Sequence, residues 1–217
     1  MISDSIQEYL EIIYKLEQEV SPVTTSALAE RLGVSAASVS EMTTKLAEQG
    51  LVTREPYKGV VLTADGRSQA LVLIRRHRLW ERFLTDVLDL SWDQVHEEAC
   101  RLEHATSPLV EQRLAQFLGE PETCPHGHPM PTATGRMAVE AGCSLAELTA
   151  GQRAKILRVP ERDSALLQYL AALGLEPEAT IRVEEVSPFQ GPLTVLVGKA
   201  RHILGRELAS KIVVQPL

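Results

Sequence analysis

Residues 24–52, TTSALAERLGVSAASVSEMTTKLAEQGLV, decide the fold of the first third of the chain. Thr25 is placed to cap a short helix through Leu32, Gly33 permits a sharp turn, and Ser35 is placed to cap a second helix running to Gln49. Helix, tight turn, helix is the expected outcome. Along the second helix Val39, Met42 and Leu46 share one face, while Ala36, Ala37, Ser38, Ser40, Thr43, Thr44 and Lys45 lie on or near the other. Small hydroxyl side chains at the start of such a helix let its backbone approach a major groove and bond phosphates or base edges.

On the N-terminal side, Ile6, Tyr9, Leu10, Ile13 and Leu16 recur at intervals of three and four, the pattern of a helix with one apolar face. On the C-terminal side, LVTRE and GVVLT are β-branched runs joined through Pro56, Tyr57, Lys58 and Gly59, and they read as a hairpin. A hairpin directly behind a helix-turn-helix is a wing. The expected DNA contacts are therefore Thr25, Ser35, Ala36, Ala37, Ser38, Ser40, Thr43 and Lys45 on the helices, and Arg54, Tyr57 and Lys58 on the wing. The alternative is a helical hairpin that packs on another protein and touches no DNA.

The whole chain has 217 residues, 44% hydrophobic and 24% charged, which leaves room for two or three modest domains. The opening MISDSIQEYLEIIYKLEQEV has neither a basic lead nor an uninterrupted apolar run, so a cytoplasmic protein without a membrane partner is expected. Three cysteines, Cys100, Cys124 and Cys143, lie outside any CxxC pair and leave thiols for metal or redox chemistry. A net charge of −7 opposes DNA binding, because phosphate contacts need Lys and Arg. The acidity lies in the first two thirds of the chain. It fits a protein that meets DNA only after a divalent cation neutralises carboxylates, and it fits an ordinary acidic protein, which composition alone favours.

From Thr63 to about Leu88 the apolar pattern reads as one long helix carrying RRHR, with His77 and Glu81 four apart on one face. That spacing also suits a surface pair. In the next helix, Ser91 to about His104, the residues His96, Cys100, Glu103 and His104 fall within about 100° of arc at roughly 100° per residue. Buried His and Glu are costly unless paired, and one coordinated ion would satisfy the whole stripe. Glu8 and Glu11, three apart on the first helix, are candidates to complete the sphere or members of a solvated acidic face. The aperiodic loop LGEPETCPHGHPMPTATG adds Cys124, His126 and His128 as ligand types.

These stretches resemble the diphtheria-toxin-repressor and manganese-transport-regulator family of metal-dependent repressors, through EYLEIIYKL, LGVSAASVSEMTTKLAEQGLV, YKGVVLT, RHRLWERFLTDVL, VHEEACRLEH and CPHGHPMP. The resemblance implies two metal ions between domains and a homodimer on a palindromic double-stranded DNA operator. It implies an ancillary site of His77, Glu81 and His96, and a primary site of Cys100, Glu103, His104 and Glu8. Glu11 would be a second carboxylate of the manganese branch, and Cys124 and His126 match ligands of manganese regulators that have a third domain. Residues 145–217 resemble the SH3-like domain of ferrous-iron-transport accessory proteins. By register that domain would lend Asp163, with Glu161 behind it, unless the charges of PERDS are simply exposed.

The expected architecture is α+β, with a winged helix-turn-helix over 1–63, a helical metal-binding and dimerisation domain over 64–138, and a small SH3-like β-barrel over 139–217. The expected function is repression controlled by Mn(II), with Fe(II) as the alternative and Zn(II), Co(II) or Cd(II) able to substitute in vitro. Three carboxylates, Glu8, Glu11 and Glu103, favour manganese, and the Cys100 thiolate favours iron, zinc or cobalt. The ion would bridge the first helix to the ligand-bearing helices and fix the spacing of two recognition helices. A dimer surface is expected around Val87, Leu90, Trp92, Leu109 and Leu114. No enzymatic activity and no small organic substrate are expected. The rivals are a zinc hydrolase using HEEAC with Glu97 as base, and a redox switch at Cys100 or Cys124.

Overall fold

A computed structural model describes residues 3–55, 58–137, 142–161 and 163–217, which form an α+β chain of two compact units. Met1–Arg76, Glu103–Thr106 and Pro131–Met137 make the first; His77–Leu102, Ser107–Met130 and Ala138–Leu217 make the second. The expected boundary at 138/139 and the wing residue Tyr57 lie outside the described residues.

The first unit is a winged helix-turn-helix. Helix α1 (Asp4–Glu17) buries Ile6, Tyr9, Leu10 and Ile13. Helices α2 (Thr25–Leu32) and α3 (Ala36–Glu48) are separated by Gly33 at φ 66°, a left-handed turn that glycine adopts at no steric cost. The cap of α2 is Thr24, whose hydroxyl accepts from the Ala27 amide, so the expected Thr25 cap is corrected by one residue. Ser35 caps α3 through the Ser38 amide. The wing strands β1 (Val52–Glu55) and β2 (Gly59–Leu62) pair antiparallel from Val52↔Leu62 to Glu55↔Gly59. Buried Glu17 ties α1 to this wing, since its carboxylate accepts from the Leu62 amide at 2.6 Å and pairs with Arg67 at 2.5 Å. Arg67 lies on α4 (Ala64–Asp86), the long helix read from the sequence.

In the second unit α4 continues from His77 and is followed by α5 (Val95–Glu103), whose last residue is counted with the first unit, and α6 (Pro108–Phe117). The Pro-Gly loop after α6 is ordered by the Arg78 guanidinium, which donates to the Pro129 carbonyl, and by the Cys124 amide, which donates to the His128 carbonyl. Gly127 sits at φ 85°, and a Cβ there would meet the Leu157 carbonyl oxygen at 1.9 Å, so loop and strand approach as closely as backbone allows.

The C-terminal part holds a six-stranded antiparallel sheet ordered β3-β8-β4-β5-β6-β7, from β3 (Cys143–Ser144), β4 (Arg153–Arg158), β5 (Thr180–Val186), β6 (Leu193–Val197), β7 (Ala200–Leu204) and β8 (Val213–Pro216). Helices α7 (Ser164–Ala172) and α8 (Arg206–Lys211) complete it. Alternate residues Ile181 and Val183, with Ile156, Leu167 and Leu170, fill its core at roughly 1.5–3 kcal/mol per buried side chain.

The residues of the expected dimer surface differ in exposure. Leu114 is a buried residue of α6, Leu90 packs with Val95 and Ala99, and Trp92 packs on the C-terminal core, while Val87 and Leu109 are exposed.

Candidate metal centre

Two groups of metal-ligating side chains converge in the second unit. His77 and Glu81 stand one turn apart on α4, His96 and Cys100 one turn apart on α5, Cys124 and His126 come from the Pro-Gly loop, and Glu161 comes from the segment between β4 and α7. One ligand atom from each of Glu81, Cys124, His126 and Glu161 lies within 4.8 Å of the others, and the same holds for His77, His96 and Cys100.

Glu81 joins the groups. Its side chain is 0% exposed, and Oε1 lies 3.0 Å from His77 Nε2, 3.5 Å from His96 Nδ1 and 3.5 Å from His126 Nδ1. Its other oxygen, Oε2, is buried without a hydrogen-bond partner. An orphaned buried carboxylate oxygen is costly, and a cation relieves it. Two carboxylates, one imidazole and one thiol therefore suit a divalent ion at the Glu81 group.

The loop presents one particular His126 nitrogen. The Trp92 carbonyl can only accept, so the 2.8 Å contact to His126 Nε2 puts the proton there and turns Nδ1 toward Glu81 and Cys124 Sγ, the latter at 3.9 Å. The Trp92 indole stacks on the same ring at 5.7 Å. His128, the other loop histidine, donates from Nε2 to the Val159 carbonyl at 3.0 Å and pins the loop to the end of β4.

Protons occupy the charge balance of these groups. Burial opposes ionisation of Glu81, yet His77, His126 and His96 outweigh it and hold the carboxyl well below its usual range. Burial likewise opposes a charged His126, but Cys124 and Glu81 push its pKa up to about 10. Burial and the Glu81 charge push the Cys124 thiol up. Burial would raise Cys100 too, but hydrogen bonds from His77 and His96 pull it down.

The remaining candidates are placed differently from the grouping that the resemblance implies. Cys100 joins His77 and His96 rather than Glu103 and His104, while Glu81 stays against His77 and His96 and also groups with the loop cysteine and histidine. Among the described residues neither group takes in Glu8, Glu11, Glu103 or His104. In the first unit Glu8 is exposed, Glu11 pairs with Lys15 at 2.5 Å, and His104 lies 3.4 Å from Glu103 and 2.9 Å from Gln7 Oε1. Gln7 carries no signal in the sequence that would have singled it out. Asp163 is corrected: its carboxylate caps α7 through the Leu166 amide, and Glu161, two residues earlier, enters the group. Glu97 is exposed and belongs to neither group.

On the first unit Thr25, Ala36, Arg54 and Lys58 line one open groove. Ala37, Ser38, Ser40 and Lys45 are exposed, and Ser35 and Ser38 share a 2.9 Å hydroxyl contact. Thr43 is corrected: it is 3% exposed and its hydroxyl donates back to the Ser40 carbonyl. Thr44, one residue further, instead accepts from Arg54 Nη1 at 2.7 Å and holds wing to helix.

A winged helix-turn-helix in one unit and clustered divalent-cation ligands in the other define the class, a DNA-binding regulator that takes a metal ion. Residues 1–60 match the iron dependent repressor N-terminal DNA binding domain, 63–132 the iron dependent repressor metal binding and dimerisation domain, and 143–216 the FeoA domain. The chain is 34% identical over 224 residues to the iron-dependent repressor IdeR of Mycobacterium leprae, covering 98% of this chain and 97% of that protein. A solved manganese-dependent transcriptional repressor in complex with manganese superposes with TM-score 0.88 at 39% identity, covering 98% of this chain and all of that one. The manganese regulator SloR superposes with TM-score 0.82 at 33% identity over the full length of both. The chain belongs to the diphtheria-toxin-repressor and manganese-transport-regulator family of metal-dependent transcriptional repressors.

Proposed function

We propose that this chain represses transcription as a homodimer on a palindromic operator when Mn(II) is bound. The observation that carries the reading is the buried group Glu81, Cys124, His126 and Glu161 around an unpartnered carboxylate oxygen. An ion held there supplies the positive charge that the buried carboxylates otherwise draw from protons. Glu81 and Glu161 offer oxygen donors that suit Mn(II), Trp92 fixes the His126 nitrogen offered, and His128 positions the loop. Relatives that are named for manganese span nearly the full length of this chain, which supports the choice. On the DNA side, exposed Ser38, Ser40 and Lys45 would enter the major groove while Arg54 and Lys58 meet phosphates.

Fe(II) is the second reading, supported by the Cys124 thiol and by whole-chain identity to an iron-dependent repressor. The test is anaerobic operator binding by fluorescence anisotropy, titrated with Mn(II) and with Fe(II), on the parent and on Glu81→Ala. We expect tight binding only with metal, a lower midpoint for Mn(II), and loss of the response in Glu81→Ala. Equal affinity in chelator and in excess metal would refute the reading.

A further inference from the structure

We propose, resting on the DNA-binding reading above, that Glu41 is a base-reading side chain of α3 and selects cytosine in each half of the operator. The group it recognises is the exocyclic amino group of one base in the major groove.

Glu41 is the sixth residue of α3 and stands at the centre of the helix face that the first unit leaves uncovered. The buried residues of α3 are Val39, Thr43 and Leu46, and at roughly 100° per residue their mean direction lies nearly opposite Glu41. Ala37, Thr44 and Glu48 share its line. Glu48 closes the helix, far from the N-terminal end that enters a major groove. The Thr44 hydroxyl is already occupied, donating to the Ser40 carbonyl at 2.8 Å and accepting from Arg54 Nη1 at 2.7 Å. Glu41 is exposed and holds no hydrogen bond or ion pair among the described residues. Around it Ala36, Ala37, Ser38 and Ser40 are exposed and short, so the helix can sit deep in a groove with Glu41 as its long side chain.

A carboxylate in that place is informative because it can only accept. Phosphates repel it, so it adds nothing to the general affinity that Arg54 and Lys58 supply. Guanine presents N7 and O6 in the major groove and thymine presents O4, all acceptors that repel it as well. Two amino groups remain. That of adenine is flanked by acceptors on both sides, its own N7 and the thymine O4 of its pair. That of cytosine has an acceptor on one side only, the guanine O6 of its pair, and is the better partner for a carboxylate. The expected order at this position is cytosine, then adenine, then thymine and guanine. Glu41 therefore selects chiefly by penalising wrong sites.

Selection from a randomised duplex pool tests this, using the full chain in saturating Mn(II) and, in parallel, in anaerobic Fe(II). The parent should enrich a motif with cytosine at one fixed place in each half-site. Glu41→Gln should move the preference there to adenine, since a glutamine amide bonds N6 and N7 together, and Glu41→Ala should leave that place open with the rest of the motif unchanged. Glu41 is exposed, so both substitutions leave the fold intact. On the parent's motif, replacing the C·G pair of one half-site by T·A should weaken the parent about 5–150-fold by fluorescence anisotropy, and Glu41→Ala less than about twofold. A parent motif without a fixed cytosine, or the same motif from all three proteins, would overturn the proposal while leaving operator binding in place. Enrichment of no sequence in either metal would instead sink the DNA-binding reading, and this proposal with it.

Discussion

His126 concentrates the chemistry of the buried group on one proton. Its Nε2–H is committed to the Trp92 carbonyl, so the nitrogen offered to an ion is Nδ1, and that nitrogen holds its proton up to about pH 10 because Cys124 and Glu81 surround it. The Cys124 thiol is raised as well. A metal ion must displace both protons, so affinity should rise with pH across the neutral range as proton competition falls. We expect more than one proton released per ion near pH 7.5, read by calorimetry in buffers of different ionisation enthalpy; release near zero would mean that both ligands are already deprotonated. Gly127 makes a second residue-scale prediction. Its left-handed φ and the 1.9 Å approach of a Cβ to the Leu157 oxygen mean that Gly127→Ala must displace the loop carrying Cys124 and His126. The cost should be about 1–3 kcal/mol in stability together with weakened metal binding. An Ala variant with parental melting temperature and metal affinity would show that the loop gives way freely.

At the scale of elements, two adjacent threonines make a sharp test of the helix-turn-helix. Both are hydroxyl residues before an apolar-periodic run, so the sequence alone does not separate Thr24 from Thr25 as the cap. The structure does: Thr24 accepts from the Ala27 amide, and Thr25 is an exposed first-turn residue. Thr24→Ala should cost about 1 kcal/mol by chemical denaturation, and Thr25→Ala only a few tenths. Similar costs for both would mean that the cap is shared. The same kind of ambiguity hid other features. Helical periodicity read α1, α3 and α4 well, because a burial stripe repeats at a fixed interval. It placed His104 on the stripe of α5, but α5 ends at Glu103, and beyond a helix end the wheel no longer describes direction. Segment 159–163 has no period, so nothing in the sequence decided between Glu161 and Asp163; cap geometry decided it.

For the whole molecule, the sequence made the class legible and left the wiring hidden. Winged helix, ligand-rich helices and FeoA domain were all readable, because each carries a pattern in side chains. The Trp92 and Val159 carbonyls that set the histidine tautomers are backbone atoms and leave no trace in residue identity. Net charge shows the same divide: a value of −7 weighed against DNA binding, yet Arg54 and Lys58 line one groove with exposed Thr25, and on the proposed reading it is this local distribution that would meet phosphate. Dimerisation is the property at this scale that can be tested most directly. Leu109, Val110 and Phe117 of α6 are exposed and, with Phe83, line one apolar groove in the second unit. We expect this surface to be the homodimer contact, since an exposed apolar patch in a dimerisation domain is best covered by its own copy. Phe117 is 68% exposed, so Phe117→Asp should leave the monomer fold intact while placing two like charges into a two-fold interface. Sedimentation should then show monomer at low micromolar concentration, and operator affinity in saturating Mn(II) should fall at least about 100-fold as the two half-sites lose their linkage. A variant that remains dimeric and binds operator like its parent would place the interface on another face of the chain.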